Sequence, residues 1–129
     1  MGKRGRKPKV KRYFAEEQEK EMKVYLSLPI SGQPTKERMA YAEQIKHRLI
    51  ETYCRDGGIF MAGKLNIITP FDVNENEDKD SYARKMGNDI EALLGCDAIY
   101  LCEGWQNSKG CMAEFEVARI YGKEIIFER

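Results

Sequence analysis

The sequence predicts an α/β fold: a three-layer α/β/α sandwich around a mostly parallel sheet of four to five strands. Three observations predict it. From Met22 onward, short apolar runs rich in strand formers alternate with segments of helical period. The runs are apolar almost throughout, as in strands buried on both faces. Gly or Pro closes most elements before the next begins.

The first strand is expected over residues 23–28, stopped by Pro29 and the Ser31-Gly32-Gln33-Pro34 loop. A helix fits residues 35–55, with Met39, Ala42, Ile45, Leu49 and Tyr53 at helical spacing and Gly57-Gly58 as its stop. Residues 65–69 read as the second strand, halted at Pro70, and the acidic stretch 74–80 reads as a loop. A second helix begins near Ser81, sets Met86, Ile90, Leu93 and Leu94 on one side and ends at Gly95. Residues 97–102 form the third strand, followed by the polar loop 103–110. A third helix has Ala113, Val117, Ile120 and Tyr121 as its expected inward stripe, Gly122 stops it, and residues 124–127 are the fourth strand.

The order β-α-β-α-β-α-β with right-handed crossovers is that of a Rossmann-like or flavodoxin-like sheet. It brings the loops after strands one, two and three to one sheet edge, where ligands bind in such folds. The search for a site therefore narrows to residues 28–33, 70–80 and 103–110 and the helix starts behind them.

The chain has 129 residues, 42% hydrophobic and 33% charged, which suits one domain or one domain with a tail. A chain of this size buries roughly two thirds of its unfolded surface, enough for a core without disulfides or metal. Its formal net charge of +1 conceals two parts. Seven of the 22 basic residues lie between Lys3 and Arg12 with no acid among them, leaving 15 basic against 21 acidic residues, a net −6, in the remainder. Residues 1–21 read as a basic, flexible arm and residues 22–129 as the folded domain.

No run approaches the roughly 20 apolar residues of a membrane span. Glu16, Glu17, Glu19 and Glu21 stand where a signal peptide needs an apolar stretch, so a cytoplasmic protein without membrane contact is expected. Cys54, Cys96, Cys102 and Cys111 form no CxxC pair, and His47 is the one histidine. Reduced thiols and no metal are expected.

Residues 58–64 satisfy GxxxxGK, but Leu65 follows the lysine and the segment runs into a strand rather than opening a helix, so it is no phosphate loop. There is no GxGxxG and no nucleophile elbow. The 104–110 loop is more informative: Ser108, the Gly110 backbone and a helix N-terminus can donate to an anion. Glu114 lies one turn later, beside the apolar stripe. By spacing alone it reads as an acid in the first turns of a helix, Asp89 as a solvated-face carboxylate and Tyr25 as packing whose hydroxyl needs a partner.

Residues 24–32, the run Asn88-Asp89-Ile90-Glu91-Ala92-Leu93-Leu94 leading to Cys96-Asp97, and Ser108-Lys109-Gly110 with Glu114 and Ala118 resemble the nucleoside 2-deoxyribosyltransferase superfamily. That superfamily includes 2'-deoxynucleoside 5'-monophosphate N-glycosidases. Cys96-Asp97-Ala98-Ile99 and residues 104–110 are similar to its DUF4406 branch, and the resemblance spans residues 22–127. It implies an N-glycosidase or 2-deoxyribosyltransferase with Glu114 as nucleophile, Asp89 as a sugar-contacting or proton-handling carboxylate, and Tyr25 orienting Glu114 or the sugar. Ser108 matches a position that contacts the 5'-phosphate. Ser27, Pro29, Ser31 and Gly32 are expected to line the substrate from the first loop. Asp72, Trp105 and Gly110 are expected to do so from the other two. Two positions depart from the pattern: Glu116 replaces a glycine, and Ser31 replaces an arginine of the monophosphate branch. The resemblance further implies a homo-oligomer, a nucleoside or nucleotide substrate and no cofactor.

A carboxylate suits this chemistry because breaking an N-glycosidic bond develops positive charge on the sugar ring. The alternative reading is a catalytically weak nucleotide-binding or sensing domain. Its arm, with Arg4, Arg6, Lys7 and Lys9, resembles an AT-hook and would place residues 1–12 on DNA.

Overall fold

The computed structural model describes residues 21–54, 65–74 and 81–129. The expected arm contacts Arg4, Arg6, Lys7 and Lys9, the Gly57-Gly58 stop, the GxxxxGK-like segment and the acidic stretch 75–80 lie outside the described residues.

Strand β1 (Met22–Ser27) leads to helix α1 (Thr35–Cys54) and strand β2 (Leu65–Ile68). A single helical turn, α2 (Pro70–Val73), precedes α3 (Tyr82–Leu94) and β3 (Ala98–Leu101). A 3-10 turn over Trp105–Asn107 then opens into α4 (Lys109–Ile120), and β4 (Glu124–Phe127) closes the sheet. The four strands run parallel in the order β2-β1-β3-β4, a small Rossmann-like or flavodoxin-like α/β fold. Among the described residues no helix is long and apolar enough to cross a membrane.

The period of two along β1 sorts the layers. Val24, Leu26 and Leu28 pack with Ala42, Ile45 and Leu49 of α1. Tyr25, facing the other way, packs with Leu93 of α3 and Ala118 of α4. Helix α1 therefore covers one face of the sheet, and α3 and α4 cover the other. Each buried aliphatic side chain contributes about 1.5–3 kcal/mol through removal from water.

The switch point follows from this winding. Strands β1 and β3 are neighbours, with Ser27 opposite Leu101, yet the chain leaves β1 toward one layer and β3 toward the other. Their carboxyl ends therefore part around a crevice.

The structure corrects the expected helix faces. In α4 the buried side chains are Cys111, Glu114 and Ala118, whereas Ala113, Ile120 and Tyr121 of the expected stripe are exposed. In α3, Asp89 and Leu93 are buried and Leu94 is exposed, and Met39 of α1 is exposed as well. The reason is common to α3 and α4: the sheet offers hydroxyl partners on this face, so a carboxylate can occupy an inward position that apolar spacing assigns to solvent. Helix α2 was unexpected, and Thr69 builds it. The Thr69 hydroxyl accepts from the Asp72 N–H at 3.2 Å and the Asp72 carboxylate accepts from the Thr69 N–H at 3.0 Å, a capping box with Pro70 in the first turn.

Candidate active site

Tyr25 and Ser27, two residues apart on β1, project toward α4. There Ser27 Oγ donates to Glu114 Oε1 at 2.6 Å and Tyr25 Oη donates to Glu114 Oε2 at 3.1 Å. Both carboxylate oxygens thus accept from a buried hydroxyl, and Glu114 is 4% exposed. Cys111, one turn earlier on α4, is buried beside the Ser27 and Ser108 hydroxyls.

Asp89 reaches the same place from α3 and is 7% exposed. Asn74 Nδ2 donates to its Oδ1 at 2.8 Å, and the Tyr25 hydroxyl also favours its charged form. Asn74 in turn donates to the Pro70 carbonyl at 3.2 Å and accepts from Asn88 Nδ2 at 3.1 Å. Five side chains from β1, the end of α2, α3 and α4 thereby gather in one polar chain: Ser27 and Tyr25 donate to Glu114, Asn74 donates to Asp89, and Tyr25 faces both carboxyls. Among the described residues no fully buried side-chain polar atom lacks a hydrogen-bond partner.

Burial governs its electrostatics. Desolvation pushes the Asp89 carboxyl up to about 6 against the opposing pull of Asn74, Tyr25 and Lys85. It pushes Glu114 up to about 7, against the Ser27 and Tyr25 hydroxyls and with help from the Asp89 charge. The Tyr25 phenol is raised well above its ordinary value by burial and then by the Glu114 carboxylate, so it remains neutral and donates. Burial raises the Cys111 thiol, which remains protonated. Among the described residues neither Glu114 nor Asp89 makes a salt bridge. Two buried carboxyls without a salt-bridged cation are suited to receive positive charge from a ligand.

The other expected site residues take several roles. Ser108 caps α4, its Oγ accepting from the Cys111 N–H at 3.2 Å, which leaves the hydroxyl proton for another acceptor. Gly110 sits in the first turn of α4, where an added Cβ would lie 3.3 Å from Met86 Sδ and 3.5 Å from Tyr82 Oη. Pro29 is buried and its carbonyl accepts from Arg38 Nη1 at 3.4 Å. Ser31 and Gly32 are exposed in a turn closed by the Gln33 N–H on the Ile30 carbonyl at 3.0 Å, with Gly32 at φ 76°. Asp72 is exposed and engaged in the capping box. Trp105 packs its ring 5.0 Å from that of Phe115 and 5.8 Å from that of Phe127.

Asn74 is the residue that sequence reasoning missed. The signal was present: Thr69-Pro70-Phe71-Asp72 has the spacing of a capping box with proline at the first helical position, and Asn74 is the C-cap of the turn this starts. A mostly apolar cavity of about 90 Å³, lined by Met22, Val24, Leu49, Tyr53, Leu65, Glu124 and Ile126, opens at the opposite, amino end of the strands. It shares no residue with the polar chain. Among the described residues no group of three or more His, Cys, Asp or Glu side chains could hold a metal ion.

A family model described as a domain of unknown function, DUF4406, matches residues 22–127, and the chain belongs to that family. No curated protein matches the chain.

Proposed function

We propose that this member of the DUF4406 family cleaves the N-glycosidic bond of a nucleoside or nucleotide, with Glu114 as the nucleophile. One observation carries the reading: a buried carboxylate, without a salt bridge among the described residues, is held by one hydroxyl on each oxygen. Such a group is oriented and desolvated, which strengthens its attraction to charge developing on a sugar. Attack of a Glu114 oxygen on the anomeric carbon breaks the bond to the base, which leaves with its electron pair and takes a proton. The resulting glycosyl ester is resolved by water, giving hydrolysis, or by a second base, giving transfer. Asp89 contacts a sugar hydroxyl or handles the proton of the leaving base. The nucleoside class rests on the resemblance of the motifs at residues 24–32, 88–97 and 108–118.

The test is chromatographic detection of base release from a panel of deoxynucleosides and their monophosphates, with and without an acceptor base. Wild type releases base, and Glu114→Gln and Asp89→Asn lower the rate at least about 100-fold. No release by wild type, or equal rates in the variants, overturns the proposal.

The basic arm sequence favours a second reading, a nucleotide-binding domain tethered to DNA through residues 1–12. A homo-oligomer, implied by the resemblance, is part of the main proposal.

A further inference from the structure

We propose that Asn74 is a positioning residue that orients Asp89 and favours its ionised form. The inference rests on the reading of Glu114 and Asp89 as the reacting carboxyls. The orientation of the Asn74 amide is settled by chemistry. The Pro70 carbonyl can only accept, so the group 3.2 Å from it is the NH₂, and the second proton of that NH₂ goes to Asp89 Oδ1 at 2.8 Å. Asn88 Nδ2 then meets the remaining Asn74 oxygen at 3.1 Å, which closes the network without a conflict.

The local fold makes this geometry stiff. The Thr69–Asp72 capping box starts α2, and the Asn74 N–H ends it on the same Pro70 carbonyl at 3.0 Å. The amide is therefore anchored by its backbone, by the proton it gives to the Pro70 carbonyl and by Asn88, and Asn74 is 7% exposed. A donor fixed in this way stabilises the ionised form of Asp89 over the neutral form. The other groups facing Asp89 are Tyr25 on β1, Glu114 and Cys111 on α4, and Lys85 on its own helix. Tyr25 and Cys111 stay neutral, and Lys85 also favours the anion. Among the described residues Asn74 donates a hydrogen bond to Asp89 and none to Glu114, while Lys85 acts on Asp89 through its charge. The Asp89 charge in turn raises the cost of ionising Glu114.

Carbon-detected NMR of the side-chain carboxyls tests the inference, with Asp89→Asn and Glu114→Gln spectra assigning the signals. In Asn74→Ala the Asp89 midpoint rises by about one pH unit, and the Glu114 midpoint falls because its neighbour is neutral over more of the range. In wild type the Asn74 side-chain NH₂ signals shift with the Asp89 midpoint, a measurement that requires no variant and decides the matter if Asn74→Ala does not fold. An Asp89 midpoint unmoved in folded Asn74→Ala, or Asn74 signals flat through the ionisation of Asp89, overturns the inference. Failure of the glycosidase reading is separate: it shows as no base release by wild type, whatever the titrations give.

Discussion

Ser27 Oγ lies 2.6 Å from Glu114 Oε1, joining the last residue of β1 to the second turn of α4 across 87 positions of sequence. This contact, with its Tyr25 counterpart, turns an acid of ordinary helical spacing into a buried one.

Replacing Ser27 with alanine removes the shorter of the two donors. A hydrogen bond to a charged group contributes about 1.5–3 kcal/mol, so Ser27→Ala loses roughly 2 kcal/mol at pH 8.5, where Glu114 is ionised. It loses less at pH 5, where Glu114 is neutral. Urea denaturation at the two pH values measures the difference, and an equal loss at both would contradict the assignment. Base release in the variant should show its acid limb moved to higher pH.

The two carboxyls set the direction of the stability profile. Both have folded pKa values raised above their ordinary ones, Asp89 from 3.8 to about 6 and Glu114 from 4.5 to about 7. The folded state therefore binds more protons than the unfolded state between about pH 4 and 7, and these groups make the protein less stable as pH rises through that window. Glu114→Gln cannot ionise, so it should be more stable than wild type at pH 8 by about 1–3 kcal/mol. At pH 4 the gap should close. Thermal melts of the two proteins across that range check the sign.

Asp72 was expected to line the substrate, and the structure gives its carboxylate to the Thr69 N–H. Asp72→Ala should cost about 1 kcal/mol, the usual loss of a helix cap. Because α2 carries Asn74, the Asn74 NH₂ signals should also broaden or shift in Asp72→Ala. Unchanged stability and unchanged Asn74 signals would separate the capping box from the site.

The basic arm makes a prediction independent of the carboxyls. If residues 1–12 contact duplex DNA, their deletion should abolish binding in a fluorescence-anisotropy titration, and the full chain should lose affinity steeply as salt rises. Binding that survives deletion with the same salt dependence would move the contact to the folded domain. Base release should be unaffected by the deletion.

Much of this was legible in the chain. The apolar runs over Val24–Leu26 and Ala98–Leu101 mark strands because residues buried on both faces must be apolar nearly throughout. Residues 124–127 match β4 to the residue, and the expected start of α1 at Thr35 also matches. Faces were harder. Periodicity turned Ala113, Ile120 and Tyr121 inward because it counts apolar side chains and cannot see a hydroxyl waiting on another element. Glu114 is inward because Ser27 and Tyr25 satisfy it, and Ala118 is inward because it packs with Leu93 and Ile99.

The sequence by itself determined the order of the strands and of the three long helices, the parallel sense of the sheet and the three loops at its carboxyl edge, since these follow from short-range patterning and chain connectivity. It also singled out Tyr25, Asp89 and Glu114 through the resemblance of short motifs. Only the tertiary structure decided that Glu114 and Asp89 are buried, that Asn74 belongs with them and that Asp72 and Trp105 are engaged in capping and packing. The physical reason is that a side chain's ionisation depends on its solvent exposure and its hydrogen-bond partners, and here those partners lie up to 89 positions away in the chain.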